Sequence, residues 1–484
     1  MSIANALNNA ISGLTATSRG AEVVSSNLAN AMTPGYAPRE LELSPRALGG
    51  NGGGVHVDGV SRIISNTVLA DFRLSNAAAR KSSVAVDFYR KIEAAIGQPQ
   101  DSGSLSAMMT EVKAALISAS SRPDNEVRLQ AVFETATQLA RKINSVSAAI
   151  QESRTSADRM IDRQIDALNN DLNEVARLNR QIIVEQANGR DSASLEDARR
   201  VVVDRISSVV PVREVSRENG RIALFTQSGA TLLDGKTPVQ FAFEPTGQLT
   251  PAIDESSALL GHLSIDGVTT SPSDMKLFSG GSLSELFKLR DDYAISAQAG
   301  IDRIARELHD RFADPAIDPT IVAGASGLFS DSAGAFNPTQ ERGLALRLIV
   351  NSSVDEAQGG QLWRIRDGIY ATTPGAVGDG TRLTGLSTAM AAAQPYSSDP
   401  ATGIGSVSTL TATYLSDISS SRIFTENQQA HDLTMQVSLE DALLADGVDS
   451  DREMEMLLQL EKANAANAKV IQVVNEMLDQ ILRI

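Results

Sequence analysis

From Asp124 to Ala187 the chain runs for 64 residues without a glycine or a proline, the two residues that most readily interrupt a helix. Within that run Ile161, Ile165, Leu168, Leu172, Val175 and Ile182 keep one heptad phase, with Asn179 as its polar member. A continuous helix over this stretch reaches about 95 Å at 1.5 Å per residue, so the chain is predicted to be built on a rod. Asn188-Gly189 ends the run. A shorter helix is expected from Ser194, with Asp197 three residues on as a variant capping box.

The two chain ends carry matching patterns. Ile3, Leu7, Ala10, Leu14, Thr17, Ala21, Val24, Leu28 and Ala31 step by four and three, which lines one helix face as in a coiled-coil seam. Ser2 is positioned to cap this helix, and Thr33-Pro34-Gly35 stops it, because Pro34 drives Thr33 out of the helical region. At the other end, Thr425 to Ile484 holds no aromatic, no proline and one glycine, which reads as two helices broken at Asp446-Gly447. Leu457, Leu460, Asn464, Asn467, Ile471, Val474, Leu478 and Ile481 again step by three and four. Each seam must bury itself against the other or against another molecule. Ile3, Leu7, Leu14, Val24, Leu28, Leu457, Leu460, Ile471, Val474, Leu478 and Ile481 are therefore the candidate assembly interface.

Between the seams the period changes twice. The glycine-rich tract Gly49 to Gly54 precedes Val55, Val57 and Val60. From Pro211, Val212 to Val215, Ile222 to Phe225 and Val239 to Glu244 read as short strands, with Asn219-Gly220 and Asp234-Gly235 as hairpin signals. Helical spacing returns at Leu283, Leu286, Leu289, Tyr293, Ile301, Ile304 and Leu308. A mixed stretch follows, in which the single tryptophan, Trp363, is expected in the core.

Composition removes whole classes of function. With 484 residues the chain is expected to hold two to four domains. Lys+Arg 43 against Asp+Glu 59 leaves a net charge of −16, which argues against nucleic-acid binding. No apolar stretch suits a membrane span, and the start lacks the basic and apolar blocks of a cleavable signal. With Cys 0 there are neither disulfides nor thiolate catalysis nor thiolate metal sites.

Catalytic patterns are also missing from the residues. His56, His262, His309 and His431 are scattered, without metal-ligand spacing. Gly229 to Thr237 misses the phosphate-loop spacing by one residue and joins strands instead of opening a helix. Asp449-x-Asp451-x-Glu453 lacks the glycine and the glutamate of a calcium loop and reads as an acidic helix start. No catalytic, cofactor-binding or metal residue is expected, no cofactor is assigned, and an enzyme is not the preferred reading.

Asn27-Leu28-Ala29-Asn30-Ala31-Met32-Thr33-Pro34-Gly35-Tyr36 resembles the N-terminal signature of bacterial flagellar rod, hook and hook-associated proteins. Its motif residues are Asn27, Leu28, Ala29, Asn30, Thr33, Pro34, Gly35 and Tyr36. Glu453 to Leu482 resembles the partner helix of that family, including Ala468-Lys469-Val470-Ile471 and Glu476-Met477-Leu478. Gly53-Gly54-Val55-His56-Val57, then Val60, Arg62, Leu69 and Arg73, together with Ser279-Gly280-Gly281-Ser282-Leu283, Leu286 and Leu289-Arg290-Asp291, resembles the hook-associated branch at the hook–filament junction. The resemblance implies export through the flagellar type III apparatus without cleavage, and ring assembly of identical subunits. It also implies contact with hook protein and with a second junction protein or the filament, and an export chaperone on the C-terminal helix. The location implied is the hook–filament junction of the bacterial flagellum. The alternatives are another axial protein of hook or distal-rod type or, from a different class, an extracellular enzyme on a flagellar scaffold with its cleft in residues 313–404.

The expected fold is mainly α with inserted β. Residues 1–35 and 447–484 form terminal coiled-coil helices of an axial tube, unburied and disordered in the monomer. Residues 60–205, 275–312 and 405–446 form a long helical-bundle domain, 206–274 a small β-rich outer domain, and 313–404 a mixed, loop-rich region.

Overall fold

The computed structural model describes residues 3–48, 51–322, 324–332, 334, 336–398 and 403–482. The capping position expected at Ser2 and the tract residues Gly49 and Gly50 lie outside the described residues. Helix α1 (Ile3–Asn30) leads into an antiparallel hairpin of β1 (Arg39–Leu48) and β2 (Asn51–Arg62), which pairs Arg39 with Arg62 at its base. The body follows with α2 (Asn66–Ile96), α3 (Leu105–Ser121), α4 (Glu126–Ala187) and α5 (Ala193–Val209). Next come α6 (Ser282–Lys288), a π turn at Leu289–Tyr293, and α7 (Ala294–Phe312). Two more helices, α8 (Thr381–Ala391) and α9 (Val407–Ala445), precede the C-terminal α10 (Ser450–Leu482).

The rod α4 spans 62 residues and starts at Asn125, whose side chain accepts from the Arg128 amide. Ser65, Ser104 and Ser406 cap α2, α3 and α9 in the same way, each satisfying one of the amides a helix start leaves without a partner. Helix α5 departs from the expected start. It begins after Ser192, whose hydroxyl donates to Glu196 and caps no amide, while Asp197 is drawn instead to Arg62 at 2.6 Å. A charge-assisted bond to an arginine outcompetes a weak cap.

Strands β3 (Val212–Ser216), β4 (Ile222–Thr226) and β5 (Thr231–Leu233) form one sheet, and β6 (Phe241–Ala242), β7 (Ser264–Ile265) and β8 (Val268–Thr269) another. Two asparagines of α4 dock them by presenting strand-like hydrogen bonds. Asn169 donates to the Phe241 carbonyl at 2.7 Å and accepts from its amide at 3.0 Å. Asn179 donates to the Ile222 carbonyl at 2.9 Å and accepts from the Ile222 amide and from Arg199. The polar member of the heptad is thus buried and satisfied.

The β segments do not enclose a core of their own. Ile222, Leu224, Leu233 and Phe241 belong to the same apolar cluster as Ile161, Leu172 and Ile304 of the helices, and so do Phe329, Leu348 and Ile365 from residues 313–404. Trp363 corrects the sequence expectation. It is only half-buried and lies beside the Arg364 guanidinium, 5.6 Å from the ring centroid, because the indole N–H and the neighbouring charge favour a wet position over the core.

Beneath the β segments lies a buried ionic cluster. Arg290 reaches Asp158 at 2.7 Å and grips Asp291 through two bonds, while Arg154 donates to the carbonyls of Arg290, Thr250 and Ile253. The Leu289-Arg290-Asp291 motif therefore sits inside the π turn, where it fastens the loop around Gly261 to the rod.

Candidate assembly site

Helices α1 and α10 pack antiparallel along their length. The inward face of α10 is Glu453, Leu457, Leu460, Asn464, Asn467, Ile471 and Val474, of which Val474 is buried. Leu478 and Ile481, further along, are exposed. The inward face of α1 is Ile3, Ala6, Ala10, Gly13, Thr17, Gly20, Val24 and Asn27. Ile3, Ala10, Thr17 and Val24 belong to the stripe read from the sequence, but its other half is displaced by one residue. Leu7 and Leu14 are only half-buried, Leu14 turning toward Val57 of the hairpin, and Leu28 is 38% exposed.

Close approach explains the displacement. A Cβ on Gly13 would stand 2.6 Å from Asn467 Nδ2, and one on Gly20 would stand 3.0 Å from the Leu460 side chain. Leucines at these heptad positions would hold the helices apart, whereas glycines let the α10 side chains reach the α1 backbone. The step of four from Ile3, Ala10 and Thr17 places the stripe on Leu7, Leu14 and Ala21 and so passes over Gly13 and Gly20. Their seven-residue spacing with Ala6 was the available signal. Thr17 accepts from Asn464 Nδ2 at 3.2 Å, a polar contact part-way along the seam.

The signature motif forms a hydrogen-bonded knot where α1 ends. Asn27 is 1% exposed; its amide donates to Glu453 Oε1 and to the Arg39 carbonyl, both at 2.9 Å. Its oxygen accepts from the Tyr36 hydroxyl at 2.8 Å and the Arg39 amide at 3.0 Å. Asn30 donates back to the Ser26 carbonyl and accepts from Thr33. Pro34 turns the chain away from α1, and Gly35, at φ 79°, packs where a Cβ would stand 2.4 Å from Val201 of α5. Ala29, outside the knot, is exposed.

An arginine clamp joins this terminal unit to the body. Arg62 binds Asp197 at 2.6 Å and Glu196 at 3.1 Å, and Arg39 reaches Asp197 at 3.3 Å while lying 5.0 Å from the Tyr36 ring centroid. Arg73, buried on α2, binds Asp204 at 2.6 Å and Glu214 at 2.8 Å. Leu69 is buried beside it on the same helix.

Among the described residues no group of three or more metal-ligating side chains is placed to hold a metal ion. His56, His262 and His431 are exposed, and His309 is buried against Asp310 and Ser326. In residues 313–404, Asp331 binds Arg347, Asp367 binds Arg366, and Asp318 faces Arg382. Burial pushes the Asp367 carboxyl up, but Arg366 and the Gly375 amide outweigh it and hold it below its ordinary value. Each of these carboxylates thus stands against an arginine. No helix of the described residues is long and apolar enough to cross a membrane.

Three family patterns match the chain. The flagellar hook-associated protein FlgK helical domain matches residues 89–315, the flagella basal body rod protein pattern residues 7–36, and the flagellar basal body rod FlgEFG protein C-terminal pattern residues 441–484. The chain is similar to flagellar hook-associated protein 1. The protein of that name from Salmonella typhimurium is 23% identical over 63% of this chain and 55% of its own length. This chain therefore spans little more than half of that relative. The Bacillus subtilis hook-associated protein 1 is 22% identical over 98% of this chain and 97% of its own length. Among solved structures, the flagellar hook junction protein FlgK from Burkholderia pseudomallei matches at a TM-score of 0.45 with 17% identity, over 54% of this chain and 46% of that one.

Proposed function

We propose that this chain is a structural adaptor of the bacterial flagellum that joins hook to filament by assembling through its terminal helices. The observation that carries the reading is the α1–α10 pair, which the Asn27–Glu453 knot locks at one end while apolar side chains remain on its outer face. Ile11, Met454, Leu458, Val470, Met477 and Ile481 are each exposed by 42% or more, an unfavourable arrangement for a lone chain in water. Neighbouring subunits would cover them.

In this reading residues 1–35 and 447–484 face the axis, the α4 rod forms a stiff column, and the β segments face outward. The terminal pair gains its full order only on assembly, because few of its side chains are deeply buried in one copy. Hydrogen exchange on the monomer tests that part: fast exchange in both termini against slow exchange in α4 is expected, and uniform protection overturns it. The same outer face suits hook protein on one side, a second junction protein or the filament on the other, and an export chaperone on α10 before assembly. Export without cleavage belongs to the same proposal.

Deleting the gene tests the adaptor itself. Hooks should form normally while filament subunits escape into the medium, and restoring the chain should restore filaments. Loss of hooks would instead favour a hook or distal-rod component.

A further inference from the structure

Of the six tyrosines, Tyr89 of α2 and Tyr293 of the π turn are the two whose rings meet among the described residues. Their centroids stand 5.6 Å apart with the ring planes tilted by 39°, and the buried Phe88 backs both rings, at 5.2 Å and 6.4 Å. Both tyrosines are only half-buried, so a small oxidant has access to them. The Tyr293 hydroxyl donates at 2.7 Å to Glu285 Oε1, on a side chain 4% exposed. The other oxygen of that carboxylate is buried without a hydrogen-bond partner among the described residues, and the Lys288 ammonium lies 4.0 Å from it. Tyr36, Tyr370 and Tyr414 donate instead to the Asn27 amide oxygen and to backbone carbonyls, which are much weaker bases than a carboxylate.

We infer that Tyr89 and Tyr293 form a modification site at which an oxidant of the peroxide class couples the two rings into dityrosine, with Glu285 as the base for the Tyr293 proton. Burial, and next the Glu285 carboxylate, push the Tyr293 hydroxyl above its ordinary value, so the phenol does not give up its proton alone. Removing an electron makes a phenol strongly acidic, and a carboxylate already in hydrogen-bond contact takes the proton as the electron leaves. The ring is then left without net charge. Tyr89 loses its electron to the oxidant and its proton to water. The two phenoxyl radicals join through the carbons ortho to oxygen, and the hydrogens on those carbons pass to the oxygens as the rings regain aromaticity. Two electrons and two protons leave in all, and they reduce one hydrogen peroxide to two waters. In a chain without cysteine this is a covalent tie that no disulfide can supply. It fastens α2 to the π turn and favours the folded chain by restricting the unfolded one. The site lies within one copy and is independent of assembly.

Treating the purified full chain with hydrogen peroxide and a haem peroxidase tests the site. The monomer band should acquire dityrosine fluorescence. Its digest should contain a linked pair of peptides that carry Tyr89 and Tyr293 and are together lighter by two hydrogens, and the linked chain should unfold at higher urea. Tyr89→Phe and Tyr293→Phe should each abolish that pair. Glu285→Gln keeps an acceptor for the Tyr293 hydroxyl but removes the base, and should slow linkage several-fold.

Absence of the Tyr89–Tyr293 pair from monomer in which the exposed Tyr370 has been oxidised overturns the site. So does undiminished dityrosine in the monomer of Tyr293→Phe, which would put the link elsewhere. Linkage of Glu285→Gln at the parent's rate would overturn the role given to the carboxylate.

Discussion

Asn27 and Glu453 stand 426 positions apart in the chain and meet at 2.9 Å, the amide of one donating to the carboxylate of the other. Around that bond the end of α1, the start of β1 and the first turn of α10 are held by one buried side chain. Asn27→Asp keeps the shape and the acceptor for Tyr36 and Arg39 but turns a second carboxylate toward Glu453. The expected result is release of the first turn of α10, a loss of about 1–3 kcal/mol in the terminal pair. Limited proteolysis should cut faster near Asp449 while the body melts unchanged; equal cleavage rates would contradict the knot.

Gly20 makes a second prediction. Gly20→Leu should separate α1 from α10, because even its Cβ would crowd Leu460. Adding Leu460→Ala should return part of the loss, since it empties the space the new side chain needs. Amide exchange across Ala16 to Val24 reads the outcome. A single variant as protected as the parent would mean that the glycine is incidental.

How much was legible in the sequence depends on the range of the interaction. The rod α4, the break between α9 and α10, and the turn at Asn219-Gly220 follow from local rules: no glycine or proline within the helix, heptad phase, and residues that accept positive φ, as Asn219 and Gly220 do. The α10 face was legible through Val474 for the same reason. The α1 face was legible only in half, because Gly13 and Gly20 matter through what the other helix brings close, and one helix read alone does not reveal that. Asp197 and Glu453 look like local helix-start residues in the sequence, yet each is used by a side chain remote in sequence, Arg62 and Asn27. The joining of β segments and rod into one core through Asn169 and Asn179 was equally out of reach, since a polar heptad position specifies no partner.

Arg290 and Asp158, 1% and 0% exposed at their side chains, give a third prediction. Arg290→Met leaves Asp158 buried with the Thr246 amide as its remaining bond among those formed here, and strips the Gly261 carbonyl of its donor. Breaking one side of such a pair costs about 3–5 kcal/mol, whereas replacing both sides by apolar residues costs much less. Urea unfolding of Arg290→Met should show that loss, and Arg290→Met with Asp158→Leu should recover most of it. If the double variant is as unstable as the single one, the charge is not what holds the loop to the rod.

Asp302 links stability to pH. It accepts from the Gly343 and Ala345 amides and from Gln298, yet burial outweighs these donors and pushes its carboxyl up from 3.8 to about 6. A group that binds its proton more tightly when folded opposes folding once it ionises, so its contribution is most favourable below about pH 4 and is lost as pH rises through 6. About two pH units correspond to about 3 kcal/mol. Comparing the parent with Asp302→Asn cancels the other carboxylates, which ionise alike in both. The asparagine leaves one backbone amide poorly matched, but that penalty does not vary with pH. The stability of the parent relative to the variant should therefore grow by up to about 3 kcal/mol as pH falls from 7 to 4. A difference that stays flat over this window would mean that Asp302 titrates as an ordinary carboxylate.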